Sequence, residues 1–66
     1  MAKTTYLLRL YDVRRRTGLS RSALYRLIAA GQFPRPIQLT ERTSAWPDHV
    51  VQAWIEEKVR QANEAA

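Results

Sequence analysis

The 66-residue chain contains no cysteine, only two glycines, a single histidine and no long hydrophobic run. Without cysteine, neither a disulfide framework nor a cysteine-based metal site can stabilise the fold, and His49 alone does not make a metal site. No run approaches the roughly 18 apolar residues that span a membrane, and the N-terminal stretch lacks the pattern of a secretory signal. We therefore expect a cytoplasmic protein with no membrane segment, held together by apolar packing.

The sequence also lacks the residue patterns that are typical of catalytic sites. The sequence has no glycine-rich phosphate loop, no paired carboxylates at a useful spacing, and no serine with a base partner. Nothing in it indicates a cofactor, a metal or a small-molecule ligand. A chain of this length forms one domain, and we expect its core to lie within residues 7–60 and residues 61–66 to fray.

Acidic residues are scarce in the first two thirds of the chain. Residues 1–42 contain nine Lys and Arg and two acidic residues, which gives a net charge of +7. Residues 43–66 contain two basic and four acidic residues, which gives a net charge of −2. Eight of those nine basic residues are arginine, which can form paired hydrogen bonds with phosphate and with guanine. This one-sided charge points to duplex DNA as the partner.

Two glycines mark the ends of two short helices. Gly18 is suited to ending a first helix over residues 12–17, because glycine takes positive φ without steric cost. Ser20 suits the N-cap of a second helix over about residues 21–30, which Gly31 ends. Two helices joined by so short a glycine-containing turn are typical of a helix-turn-helix.

A small β-hairpin is predicted after the second helix. Prolines on either side of Arg35 exclude a helix there and favour extended chain. Short strands over residues 37–40 and 43–46, with a turn near Glu41 and Arg42, form the hairpin. Two strands are marginal alone, so the hairpin must pack on the helices.

A last helix follows, with Pro47 suited to its first position and Asp48 to its first turn. Trp46 and Trp54 are predicted core residues. Helical spacing predicts the apolar side of this helix, formed by Val50, Val51, Trp54, Ile55 and Val59. The fold class is therefore mainly α: a helix-turn-helix with a β-hairpin wing and a C-terminal helix.

The second helix carries the candidate DNA-binding residues. Its apolar side is Leu24, Leu27 and Ile28, so its outer side contains polar residues that we call the recognition face: Ser20, Arg21, Ser22, Tyr25 and Arg26. Serine and arginine can contact base edges or phosphates where such a helix enters the major groove. The alternative is that Tyr25 caps the edge of the core and that the arginines are merely solvated.

Arginines outside the recognition face are further candidates for DNA contact. Arg42 at the predicted hairpin turn suits a phosphate or minor-groove contact, the alternative being an ion pair with Glu41. Arg35 is held on a stiff proline-flanked segment, which reduces the entropy lost on binding. Three consecutive arginines, 14–16, spread around the first helix, so at least one of them must face away from any single partner.

The same residues resemble a known family. The stretch "LRLYDVRRRTGLSRSALYRLIAAGQFPRPIQL", followed by "AWPDHVVQAWI", is similar to the AlpA family of phage and prophage regulators, related to the MerR-type and excisionase DNA-binding domains. The resemblance covers residues 7–60. It implies a winged-helix-like transcriptional regulator, typically acting at integrase or other mobile-element promoters. The hairpin departs from the family pattern in lacking a glycine at its turn, and Pro47 stands where many relatives have a polar residue.

Two alternatives remain open at this point. An excisionase-like factor that bends attachment-site DNA would have the same fold and surface. A protein-interaction module would instead use the arginine-rich surface to bind an acidic partner. A single domain of this size contacts about one half-site, so a homodimer or cooperative assembly on DNA is also expected.

Overall fold

The computed structural model describes residues 4–65. Its elements, in chain order, are β1 (Leu7–Leu8), α1 (Leu10–Thr17), α2 (Arg21–Ala29), β2 (Ile37–Gln38), β3 (Ser44–Pro47) and α3 (Asp48–Ala65). The strands form one antiparallel sheet with the order β1-β3-β2. The helix-turn-helix, the hairpin and the C-terminal helix are thus present as predicted.

The bounds of α1 and α2 follow from local chemistry. The Ser20 hydroxyl accepts a hydrogen bond from the Ala23 amide at 3.1 Å, which caps the start of α2 as predicted. Gly18 has φ +75° and donates its amide to the Arg14 carbonyl at 2.8 Å. Gly31 has the same φ and ends α2, with its amide on the Ile28 carbonyl at 3.1 Å.

The first helix begins earlier than the sequence predicts. Its first residue is Leu10, because the Asp12 carboxylate accepts the Arg9 backbone amide at 3.2 Å and closes the start of the helix. The apolar residues before it form strand β1, which the sequence analysis did not predict. β1 is only two residues long and pairs with β3, so no local period reveals it.

Pro47 belongs to β3, and the prediction that it opens the last helix is wrong. Leu7 pairs with Pro47, and the next amide along, Asp48, donates to the Tyr6 carbonyl at 2.8 Å. Amides alternate in direction along an antiparallel ladder, so the proline nitrogen faces away from β1 and costs no hydrogen bond there. The helix α3 consequently begins at Asp48.

The far end of α3 also differs from expectation. We expected residues 61–66 to fray, but the helix continues to Ala65, and Ala66 lies outside the described residues. Arg60 forms ion pairs with Glu57 and Glu64, one turn away on either side, and Gln61 donates to Glu57 at 3.1 Å. Such pairs at helical spacing stabilise an exposed helix in place of core packing.

The core lies between the helix pair, the sheet and the first half of α3. Its fully or nearly buried members are Val13, Leu24, Ile28, Phe33, Ala45, Trp46 and Val51. Trp46 is 1% exposed, as predicted, whereas Trp54 is only half-buried at the edge of the core. Val59, predicted on the apolar side of α3, is 55% exposed because the helix has passed beyond the core there.

Both tryptophans fix the loop that leads from α2 to the hairpin. The Trp54 indole donates to the Gln32 carbonyl and the Trp46 indole to the Pro34 carbonyl, each at 2.8 Å. Phe33, between those two carbonyls, packs edge-on against Trp54 with ring centroids 4.8 Å apart. The hairpin is thereby held in a fixed position relative to α2.

A candidate nucleic-acid interface

The recognition face begins at the N-terminus of α2. Ser20, Arg21 and Ser22 are all exposed there. The Ser20 hydroxyl oxygen is occupied by the Ala23 amide, but its own proton stays free to be donated. The first-turn amides of a helix have no partner within the helix, so this end offers donors to an anion.

Arg21 and Tyr25 act as a pair one turn apart. The Arg21 guanidinium lies 5.7 Å from the centroid of the Tyr25 ring, within the range of a cation–π contact. Tyr25 is 44% exposed, so it does not serve only as a cap on the core. The contact limits the positions of a long side chain that would otherwise be free in solvent.

An open groove lies between the start of α1, the recognition face and the hairpin. We call it the α1–hairpin groove; its volume is about 480 Å³. It is lined by Arg9, Leu10, Tyr11, Tyr25, Arg42, Ser44 and Trp46. The fold therefore brings Tyr25 and Arg42 together. It adds Arg9, Tyr11 and Ser44, which the sequence analysis did not select, because only the pairing of distant segments places them there.

The hairpin turn explains how Arg42 is presented without a glycine. Thr40 and Thr43 exchange backbone hydrogen bonds of 3.2 and 3.4 Å, and the Thr40 hydroxyl accepts the Arg42 amide at 3.2 Å. No residue other than glycine has positive φ among those described, so this turn needs none. Arg42 is exposed at the turn.

Of the seven predicted site residues, Tyr25 and Arg42 line the α1–hairpin groove and five do not. Three of those five, Ser20, Arg21 and Ser22, lie at the start of α2, and the other two lie elsewhere on the surface. Arg26 is exposed on α2, about 100° around the helix from Tyr25, and is not among the residues that line the groove. Arg35 is exposed on the loop held by the two tryptophans, and it is likewise absent from the lining.

The three consecutive arginines of α1 point in different directions, as their spacing predicts. Arg16 donates to the Gln52 side chain on α3, away from the recognition face. Arg15 lies over the Tyr11 ring, 5.7 Å from its centroid. Arg14 and Arg15 also line a second open hollow beside the turn between α1 and α2.

The basic side chains of this surface are not neutralised by neighbouring acids. Among residues 4–65, the arginine ion pairs within 4 Å are those of Arg60 with Glu57 and Glu64, on α3. The alternative that Arg42 pairs with Glu41 is therefore not seen. The arginines around the groove and on the recognition face keep their guanidinium groups available for an anionic partner.

Other kinds of site find no support in the described part of the chain. Residues 4–65 contain no cluster of three or more potential metal ligands, and His49 is exposed beside Asp48. None of the helices in that range is long and apolar enough to cross a membrane.

A short turn between two helices, a capped second helix with arginines outward, and a hairpin beside it define a winged helix-turn-helix domain. The family comparison agrees with this class. A model of the family described as prophage CP4-57 regulatory protein (AlpA) matches residues 6–59. The chain belongs to the AlpA family. The description of the family is that of a regulatory protein.

One curated relative is the uncharacterized protein ORF88 of Enterobacteria phage P4. It is 42% identical over 48 residues, which cover 73% of this chain and 54% of the relative. The chain thus spans about half the length of the curated relative that it matches. No solved structure matches the chain significantly.

Proposed function

We propose that the chain is a sequence-specific duplex-DNA-binding transcriptional regulator of a prophage or mobile element, acting at an integrase-type promoter. One observation carries the proposal: Ser20, Arg21 and Ser22 are exposed at the start of α2, and Tyr25, one turn further on, lines the same groove as Arg42 of the hairpin. Among residues 4–65, neither the Arg21 nor the Arg42 guanidinium lies within 4 Å of a carboxylate. That is the arrangement in which a recognition helix enters the major groove and a wing contacts the adjacent backbone.

The proposed roles divide between bases and backbone. Ser20, Arg21 and Ser22 stand where base edges or the phosphate at the groove lip are reached first, and Tyr25 and Arg26 hold the position of the helix along the DNA. Arg42, on the hairpin, and Arg35, on its proline-flanked loop, are proposed phosphate contacts. Family membership supports DNA binding as such, while these individual roles rest on exposure and charge.

The test begins with selection of a bound sequence from random duplexes, followed by titration of that sequence at several salt concentrations. If four to six arginines meet phosphates, log K against log salt should have a slope of roughly −4 to −5 per chain. A slope near zero would contradict DNA binding. Protection of an attachment site with strong bending, rather than of a promoter, would favour an excisionase-like factor.

A further inference from the structure

The α1–hairpin groove contains basic and hydroxyl side chains besides Arg42 of the hairpin. Its lining comes from three separate segments of the chain: the start of α1, the middle of α2, and the hairpin with β3. Two arginines line it from separate segments, Arg9 just before α1 and Arg42 on the hairpin, and neither guanidinium lies within 4 Å of a carboxylate among residues 4–65. Two positive charges that face one groove without a counter-ion favour an anion inside it.

Arg9 is held in place from its backbone rather than from its side chain. Its amide donates to the Asp12 carboxylate at 3.2 Å, which fixes the residue at the start of α1. Asp12 is therefore engaged with the backbone, and the Arg9 guanidinium remains free. A rigid backbone under a free guanidinium lowers the entropy lost when that group binds.

Tyr11 is the most exposed of the three aromatic residues that line the groove. It is 64% exposed, and Arg15 covers its ring at 5.7 Å. The residue also lines the second hollow, so it stands on the ridge between the two. A phenol on such a ridge can donate its hydroxyl proton to a phosphate oxygen while its ring contacts a sugar.

The remaining lining suits a sugar–phosphate chain better than a small anion. Ser44 adds a hydroxyl donor, while the partly exposed Leu10 adds apolar surface that a free phosphate could not use. Tyr25 joins the groove to the recognition face through its contact with Arg21. A DNA strand contacted by α2 can therefore continue into the groove.

We propose that the α1–hairpin groove is a second anchoring site, which binds the backbone of duplex DNA through Arg9 and Tyr11 together with Arg42. The inference rests on the proposed function, because it concerns the same DNA. This proposal assigns phosphate binding to the start of α1, whereas the recognition face lies on α2. The contacts are to backbone and not to bases, so they add affinity without sequence preference.

Three variants test the groove on the selected duplex and on a scrambled duplex of the same length. Arg9→Ala should weaken both by roughly tenfold and reduce the magnitude of the salt slope by about one. Arg9→Lys keeps the charge and should retain most of the slope. Tyr11→Phe removes only a neutral donor, so it should weaken both duplexes a few-fold and leave the slope unchanged.

Lys58→Ala is the matched control, since it removes one positive charge from α3, where Lys58 lies over the Trp54 ring. It should bind like the parent. Thermal melting of each variant separates loss of binding from loss of folding, and the backbone bond from position 9 to Asp12 is kept in both the Ala and the Lys variants.

The outcomes separate this inference from the proposed function. If Arg9→Ala and Tyr11→Phe bind both duplexes with parental affinity and slope while Arg21→Ala does not, the groove is not a DNA site and the recognition face still is. If the parent shows no salt-dependent binding, the proposed function itself fails. If a polyglutamate peptide displaces the duplex and binds as tightly, the groove is instead a site for an acidic protein segment, which overturns the inference.

Discussion

Arg21 and Arg26 extend from the same helix, five positions and about 140° apart around its axis. Arg21 lies in the first turn of α2, against Tyr25, whereas Arg26 is exposed in its last turn. The two side chains therefore cannot reach the same part of a DNA groove. Their contributions to affinity and to specificity should differ.

We predict that Arg21→Ala costs about 1–3 kcal/mol on the selected site and relaxes the preference at one base pair. Arg26→Ala should weaken the selected and scrambled sites by similar factors. Titrations on single-base variants of the site measure both effects. Uniform losses for both variants would mean that specificity comes from the serines, Tyr25 or DNA shape.

The two tryptophans make the same kind of hydrogen bond but differ in burial. Trp46 is 1% exposed, so Trp46→Ala should cost about 3–5 kcal/mol, a large part of the stability of so small a domain. Trp54 is half-buried, and Trp54→Ala should cost roughly half as much. Denaturant unfolding measures both values. Equal losses would show that the indole bonds to the loop, rather than burial, dominate.

Among the elements, the helices could be predicted from sequence and the sheet only in part. Ser20, Gly18 and Gly31 fix helix ends by contacts within a few residues, so their positions follow from residue type. Strand β1 depends on a partner about 40 positions away, and Pro47 is placed by that same pairing. Non-local pairing leaves no periodic signal in two residues.

The candidate site shows the same division. The recognition face could be predicted from α2 alone, because the helical period assigns Leu24 and Ile28 to the core, which buries them, and leaves the polar positions between and before them exposed. The α1–hairpin groove could not be predicted, since it exists only once β1 and the hairpin position Arg9 opposite Arg42. Arg9 carries no local signal beyond its charge.

The second half of α3 depends on side-chain pairs and should respond to acid. Hydrogen bonds from Arg60 hold the pKa of Glu57 below its ordinary value. A carboxyl whose pKa is lower in the folded state stabilises that state above its unfolded pKa, and this stabilisation is lost as the pH falls through the folded value. We predict that residues 57–65 lose helix content below about pH 4.

Amide chemical shifts along α3 during an acid titration check this prediction. Arg60→Ala removes the partner and should abolish the acid-dependent step while leaving residues 48–55, which pack on the core, unchanged. A step of the same size in the variant would assign the loss of helix to another group.

At the scale of the whole molecule, the described chain is a flat body with extents of 42 × 37 × 20 Å. Along B-DNA, with about 3.4 Å per base pair, the longest extent covers about 12 base pairs, close to one helical turn. We predict a footprint of about that length for one chain. A footprint of two turns with a symmetric sequence would support the homodimer or cooperative assembly proposed from the sequence, and analytical ultracentrifugation of the complex would count the chains.

The brevity of the sheet's outer strands has a consequence for solubility. β1 and β2 are two residues each, and β2 is preceded by Pro36 and by the charged Arg35, although Ile37 on it is 47% exposed. Because these edge strands are so short and are flanked by proline and charge, another chain can form almost no backbone hydrogen bonds along them. Concentrated samples should therefore stay free of thioflavin-positive fibrils, whereas a chain carrying Arg35→Val and Pro36→Val, with a longer apolar edge, should form them. The prolines that stiffen the segment before the hairpin should thus also oppose amyloid formation.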